Sequence, residues 1–188
     1  MVYTRMQLFN DKWEIYISKV QYDPKSADNI VSPDSYVEIC DDFSTTLLLT
    51  ISDVMHSFEK NIVFRVSYYT PYSDFAFMDG NRLFLFLNTD VVIFNLKSFQ
   101  VDKKVKLNIW GTLFAAYSYQ DDFILHYEAD IIRMNRNLDV IWDFSAHEIF
   151  VRYHGEEPAF EMCPDRIKLY DFSDYYYEID YDGKLIGD

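Results

Sequence analysis

At 188 residues, with 49% apolar side chains and only five Gly and five Pro, the chain has the material for a buried core. That composition excludes a disordered or collagen-like polypeptide, and 19% aromatic content, led by sixteen Tyr and sixteen Phe, favours pleated, half-buried surfaces and so a β-rich fold. The net charge is −14, concentrated in residues 121–188, where seventeen acids face six bases; such a field repels nucleic acid and anionic membranes and attracts basic partners.

Taken in chain order, the first twenty residues are broken by Arg5, Asp11, Lys12 and Glu14, and so lack the apolar core of a signal peptide. The segment "KWEIYISKV" alternates as a strand, Trp13, Ile15 and Ile17 on one face and Glu14, Tyr16 and Ser18 on the other. "DPKSADNIVSPDS" is rich in turn formers and reads as a surface loop. "TTLLLTISDVM" and "NIVFRVSYY" are β-branched and apolar, giving two further strands, with a helical turn expected around "SDVMHSFEK" from the spacing of Val54, Met55 and Phe58. No run of about eighteen apolar residues occurs, so no membrane span is expected. Cys40 and Cys163 are far apart and without metal-ligand spacing, which favours reduced thiols and a cytoplasmic setting.

The second half repeats. Sliding "NRLFLFLNTDVVIFNLKSFQV" by forty residues onto "DDFILHYEADIIRMNRNLDVIW" brings Phe84 onto Ile124, Leu85 onto Leu125, Asp90 onto Asp130, Val92 onto Ile132 and Asn95 onto Asn135. A third copy, "PDRIKLYDFSDYYYEIDYDGKLI", fits with a one-residue shift in its turn. Each hairpin follows an apolar strand ("DFAFMDG", "TLFAAYSYQ", "PAFEMCPD") and precedes a short one such as "KVKLNIW" or "EIFVRYH". Three or four strands per 40 to 45 residues resemble the blades of WD-type or quinoprotein-type β-propellers, though without the Gly-His and Trp-Asp signatures. The expected fold is therefore all-β: antiparallel repeat units resembling an incomplete β-propeller of three blades, with an antiparallel sandwich or meander fitting as well. The corresponding division is an irregular β-rich portion over 1–71, then repeats at 72–110, 112–150 and 158–188, packed as one domain.

Catalytic signatures are absent: there is no P-loop, dinucleotide fingerprint, zinc-helix motif or nucleophile elbow. "AHEIFVRYHGEEPAFEMC" gathers His147, Glu148, His154, Glu156, Glu157 and Cys163, but two histidines seven apart on a strand face opposite ways. "DYDGK" at Asp180 offers alternate aspartates as a calcium loop does, yet Asp182-Gly183 reads better as a hairpin turn. Asp41-Asp42 and Asp121-Asp122 read as turn residues, His56 and His126 as core or rim residues, and Lys103, Lys104 and Lys106 as guards of an edge strand. No enzyme activity and no cofactor are expected.

Small, acidic, aromatic-rich β proteins without a catalytic constellation resemble the immunity proteins of bacterial toxin systems. That resemblance, one of overall character, implies a cytoplasmic inhibitor that captures a basic toxin, such as a nuclease, by protein–protein binding. The expected interface is Glu156, Glu157, Asp171, Asp174, Tyr175, Tyr176, Glu178, Asp180 and Tyr181. The alternative is a propeller-like scaffold or module that binds peptide or carbohydrate on aromatic platforms.

Overall fold

The computed structural model describes residues 5–40, 45–55, 57–67, 74–152 and 157–186. It is all-β: sixteen strands in four sheets, antiparallel except for one parallel pair, with no helix among the described residues. Nor is there, among those residues, any helix long and apolar enough to cross a membrane. The chain separates into two compact units, Met1–Leu107 and Asn108–Asp188.

The first unit opens with a five-stranded sheet ordered β1 (Arg5–Phe9), β2 (Trp13–Val20), β4 (Thr45–Asp53), β5 (Glu59–Val66) and β3 (Ser35–Glu38). Trp13, Ile15 and Ile17 are buried and Glu14, Tyr16 and Ser18 are half-buried, as the period of two requires. The helical turn expected at Ser52–Lys60 is instead a short β turn at Val54–Met55: Asp53 accepts from the Ser57 N–H (2.7 Å) and hydroxyl, and the chain returns as β5. His56 lies outside the described residues. Strand β3, not anticipated from the sequence, begins at Ser35, the last residue of the segment read as loop; it pairs parallel to β5, with Tyr36 opposite Val63. A meander of β6 (Ala76–Asp79), β7 (Arg82–Leu87), β8 (Asp90–Asn95) and β9 (Gln100–Lys106) completes the unit. Its Phe75, Leu83, Leu85, Val92 and Phe94 join Ile15, Leu47, Leu49 and Phe64 in one buried cluster. The sequence divides at 71/72 where the periodicity begins; the contacts divide after Leu107, because the first repeat shares its core with the sheet before it.

In the second unit β10 (Leu113–Tyr119), β11 (Asp122–Tyr127), β12 (Asp130–Asn135) and β13 (Val140–Ser145) form a second meander. β7, β8 and the start of β9 reappear forty residues later as β11, β12 and β13. Gly80 (φ 57°) and Gln120 (φ 50°) occupy the same left-handed turn position. A fourth sheet contains β14 (Phe160–Met162), β15 (Arg166–Tyr170) and β16 (Tyr176–Asp180). A stub follows, in which Leu185 bridges Ile179 and the Ile186 N–H reaches Glu178 O at 2.7 Å. Arg166 faces Asp180 as Asp122 faces Asn135, and these two pairings differ by a one-residue offset between the strands. Residues 148–152, expected to be a strand, carry none; they form an irregular segment held by the Phe150 N–H on Glu128 O (2.5 Å). Asp122 is a strand residue rather than a turn residue, and its half-hidden carboxylate pairs with Arg133 at 2.7 Å. Asp41-Asp42 lie outside the described residues.

Candidate functional site

One turn design recurs in this unit. At Asn135, Asp171 and Asp180, the side-chain Oδ1 accepts the N–H groups two and four residues ahead, at 2.8–3.0 Å. In each case the N–H three residues on returns to the carbonyl of the Asn or Asp at 2.9–3.0 Å. The residue at that third position, Leu138, Asp174 or Gly183, takes a positive φ. A short side-chain acceptor that mimics a backbone carbonyl explains the choice of Asn and Asp. The arrangement settles "DYDGK" as a turn rather than a calcium loop: the Asp180 carboxylate is occupied by backbone N–H groups.

Asp171 carries more weight than its counterparts. It is completely buried, and its second oxygen accepts the Tyr177 hydroxyl at 2.8 Å. The 171–175 loop is thereby fixed from below, and Phe172 (51% exposed) and Tyr175 (62%) are turned outward, with Tyr176 (46%) at the start of β16. Ile149 lies alongside, its carbonyl accepting the Phe172 N–H at 2.8 Å. Exposed aromatic side chains on a rigid loop present large contact area at low cost in conformational entropy.

Cross-strand register orders the solvent face of the hairpin. Tyr170 is opposite Tyr176, with rings 4.8 Å apart; Lys168 is opposite Glu178, and Arg166 opposite Asp180. The Arg152 guanidinium lies 3.9 Å over the Tyr170 ring and meets Glu157 at 3.2 Å and Asp174 at 3.5 Å. Tyr170 donates to the same Glu157 oxygen at 2.8 Å. That hydrogen bond, with help from Arg152, holds the Glu157 carboxyl below its usual range, and the Tyr170 phenol is raised in return. Tyr176 donates to Glu178, which also pairs with Arg166 at 3.5 Å. Local burial, then the Glu178 carboxylate, push the Tyr176 phenol up to about 12.

Of the nine residues expected at the interface, Glu157, Asp174, Tyr175, Tyr176 and Glu178 are brought to this one face. Asp180 borders it but serves its turn. Asp171 and Tyr181 are not displayed on this face: Asp171 is completely buried and Tyr181 is 9% exposed. Tyr181 stacks on Tyr119 at 3.8 Å, donates to Cys163 O at 2.6 Å, and its carbonyl accepts from Arg133 and Trp142. Glu156 and His154 lie outside the described residues; His147 and Glu148 are exposed, and Cys163 is a half-buried free thiol. Among the described residues no group of three or more His, Cys, Asp and Glu side chains is placed to hold a metal ion. Sequence reasoning missed Arg152, Tyr170 and Phe172, although the exposed Phe172 stands within the same acid-and-tyrosine run.

No protein-family model and no curated protein matches the chain. Among solved structures it is similar to the crystal structure of Kluyvelomyces marxianus Hsv2, at a TM-score of 0.43 and 10% identity over 79% of this chain. The chain spans about half (48%) of that neighbour's length.

Proposed function

We propose that the chain is a non-enzymatic binding protein whose β15–β16 hairpin captures a basic protein partner, in the manner of an immunity protein neutralising a toxin. The observation that carries this reading is the outward display of Phe172, Tyr175 and Tyr176 on a loop held by a buried carboxylate. Around them, residues 157–186 hold eight carboxylates against three cationic side chains. Aromatic anchors within a charged rim are the usual anatomy of a tight interface: the anchors set the lifetime of the complex and the rim charge its rate of formation.

The test is affinity capture from the native host, then kinetics with the purified captured protein. A basic partner is expected, with Tyr175→Ala and Tyr176→Ala together weakening affinity by about a hundredfold, mostly through dissociation. Asp174→Lys and Glu157→Lys slow association and flatten its dependence on salt. Co-expression with the captured protein then asks whether the chain rescues growth. An acidic partner, or affinity unchanged in the double tyrosine variant, overturns the assignment.

A further inference from the structure

The first unit contains a cleft that the hairpin reading does not use. It lies between the end of β2, the 21–34 loop and the start of β4, and holds about 500 Å³. A side lobe of about 370 Å³ reaches Tyr36 and Arg65 and shares Tyr22, Asp23 and Thr46 with the main lobe. Both volumes suit a small ligand. We propose that this cleft binds a neutral saccharide.

Three features carry the inference. The loop is organised in advance by Asn29, which accepts the Asp23 N–H at 2.9 Å and donates to the Asp23 and Ser26 carbonyls at 2.6 and 2.9 Å. Asp23 in turn accepts the Lys25 N–H, and Ser26 the Asp28 N–H. A rim so built loses little freedom when a ligand arrives. Tyr22 and Tyr36 place their rings 5.8 Å apart at 35°, an aromatic wall whose negative faces attract the C–H groups of a pyranose. Around that wall, the side chains of Lys19, Gln21 and Asp28 make no hydrogen bond to any described residue. Thr45 and Thr46, both buried residues at the start of β4, line the main lobe.

Charge selects the class. Lys19 and Lys25 are set against Asp23 and Asp28, and Arg65 is already held by Glu38 at 2.6 Å. Both signs are present and neither dominates, so an ion of either sign meets a like charge, whereas a ligand rich in hydroxyls uses donors and acceptors together.

The experiment titrates the isotopically labelled chain with maltose, cellobiose, lactose and N,N′-diacetylchitobiose, following backbone amide resonances. At least one sugar should shift the amides of residues 19–29 and 45–46 with a Kd of about 10 mM or tighter. Tyr22→Ala and Asp28→Ala should each weaken it at least about tenfold, with an otherwise unchanged spectrum. Gln21→Ala, at an exposed position, supplies the same readout should either variant fail to fold. The Tyr175→Ala/Tyr176→Ala variant should bind the sugar unchanged, which separates this cleft from the hairpin. Silence toward all four sugars overturns the proposal. So does preferential binding of glucuronate, glucosamine or inorganic phosphate, or shifts that fall elsewhere.

Discussion

His126 makes the second unit acid-sensitive in a way that can be worked through. It sits on β11, 7% exposed, stacked 4.3 Å from Phe160 and edge-on to Phe114 at 5.2 Å, with Phe150 at 5.9 Å. Its Nε2 is buried with no hydrogen-bond partner among the described residues, and burial among these rings lowers its pKa from 6.5 to about 4. The folded value lies below the unfolded one, so the stabilisation is complete above pH 6.5 and is lost as pH falls toward 4. At about 1.4 kcal/mol per pH unit, that interval amounts to about 3 kcal/mol. His126→Phe keeps the aromatic packing, removes the proton site and removes the unpartnered nitrogen; at neutral pH it should be neutral or stabilising by about 1 kcal/mol. Urea unfolding from pH 7.5 to 4 should show wild type losing about 3 kcal/mol more than the variant. Parallel losses, or an imidazole titrating near 6.5 in the folded protein, would refute the reasoning.

Two further predictions concern the turns. Asp171→Ala removes an acceptor of two backbone N–H groups and leaves the Tyr177 hydroxyl without its partner; a loss of about 3 kcal/mol is expected by denaturant unfolding. Asp171→Asn keeps an oxygen for the N–H groups and should lose about 1 kcal/mol, and equal losses would show that the carboxylate is not what holds the loop. Gly183→Ala and Gly80→Ala form a matched pair, since both positions have positive φ but differ in surroundings. A Cβ at Gly183 meets the Trp142 ring at 2.6 Å, whereas one at Gly80 meets nothing within 4 Å. Gly80→Ala should therefore lose about 1 kcal/mol and Gly183→Ala clearly more, with altered Trp emission in the second alone.

Strand content was legible because its signal is local. Alternation at Trp13–Val20 and the forty-residue offset between Phe84 and Ile124 depend on which side chains must be buried, and burial imposes a period of two. β3 was not legible: Ser35–Glu38 sits at a sheet edge with no fully buried residue, so its place comes from pairing with β5 and leaves no pattern of its own. The same limit governed the site. Tyr175, Tyr176 and Glu178 were singled out from the acid- and tyrosine-rich composition of their run, but Arg152 reaches Tyr170 and Asp174 from an irregular segment some twenty residues earlier, a proximity that only the fold creates. Asp171 was misjudged for a related reason. An acid in a tyrosine-rich run reads as surface, and nothing local says that two N–H groups and a phenol will hold it completely buried.

These ion pairs alter what the acidity of the hairpin can do. Glu157 and Asp174 are engaged by Arg152, Glu178 by Arg166 and Glu161 by Lys168, so the carboxylates nearest the aromatic loop are not bare charges. A basic side chain docking there has to displace a guanidinium or share its carboxylate, which reduces the net gain from each pair. Long-range attraction, by contrast, depends on the net charge of the chain, −14, and persists whatever the local pairing. Attraction and retention thus divide between different residues. In the proposed complex, acids across the chain would bring a basic partner in, and Phe172, Tyr175 and Tyr176 would hold it. Raising the salt concentration should slow association strongly and change the dissociation rate little, whereas the tyrosine variants should do the reverse.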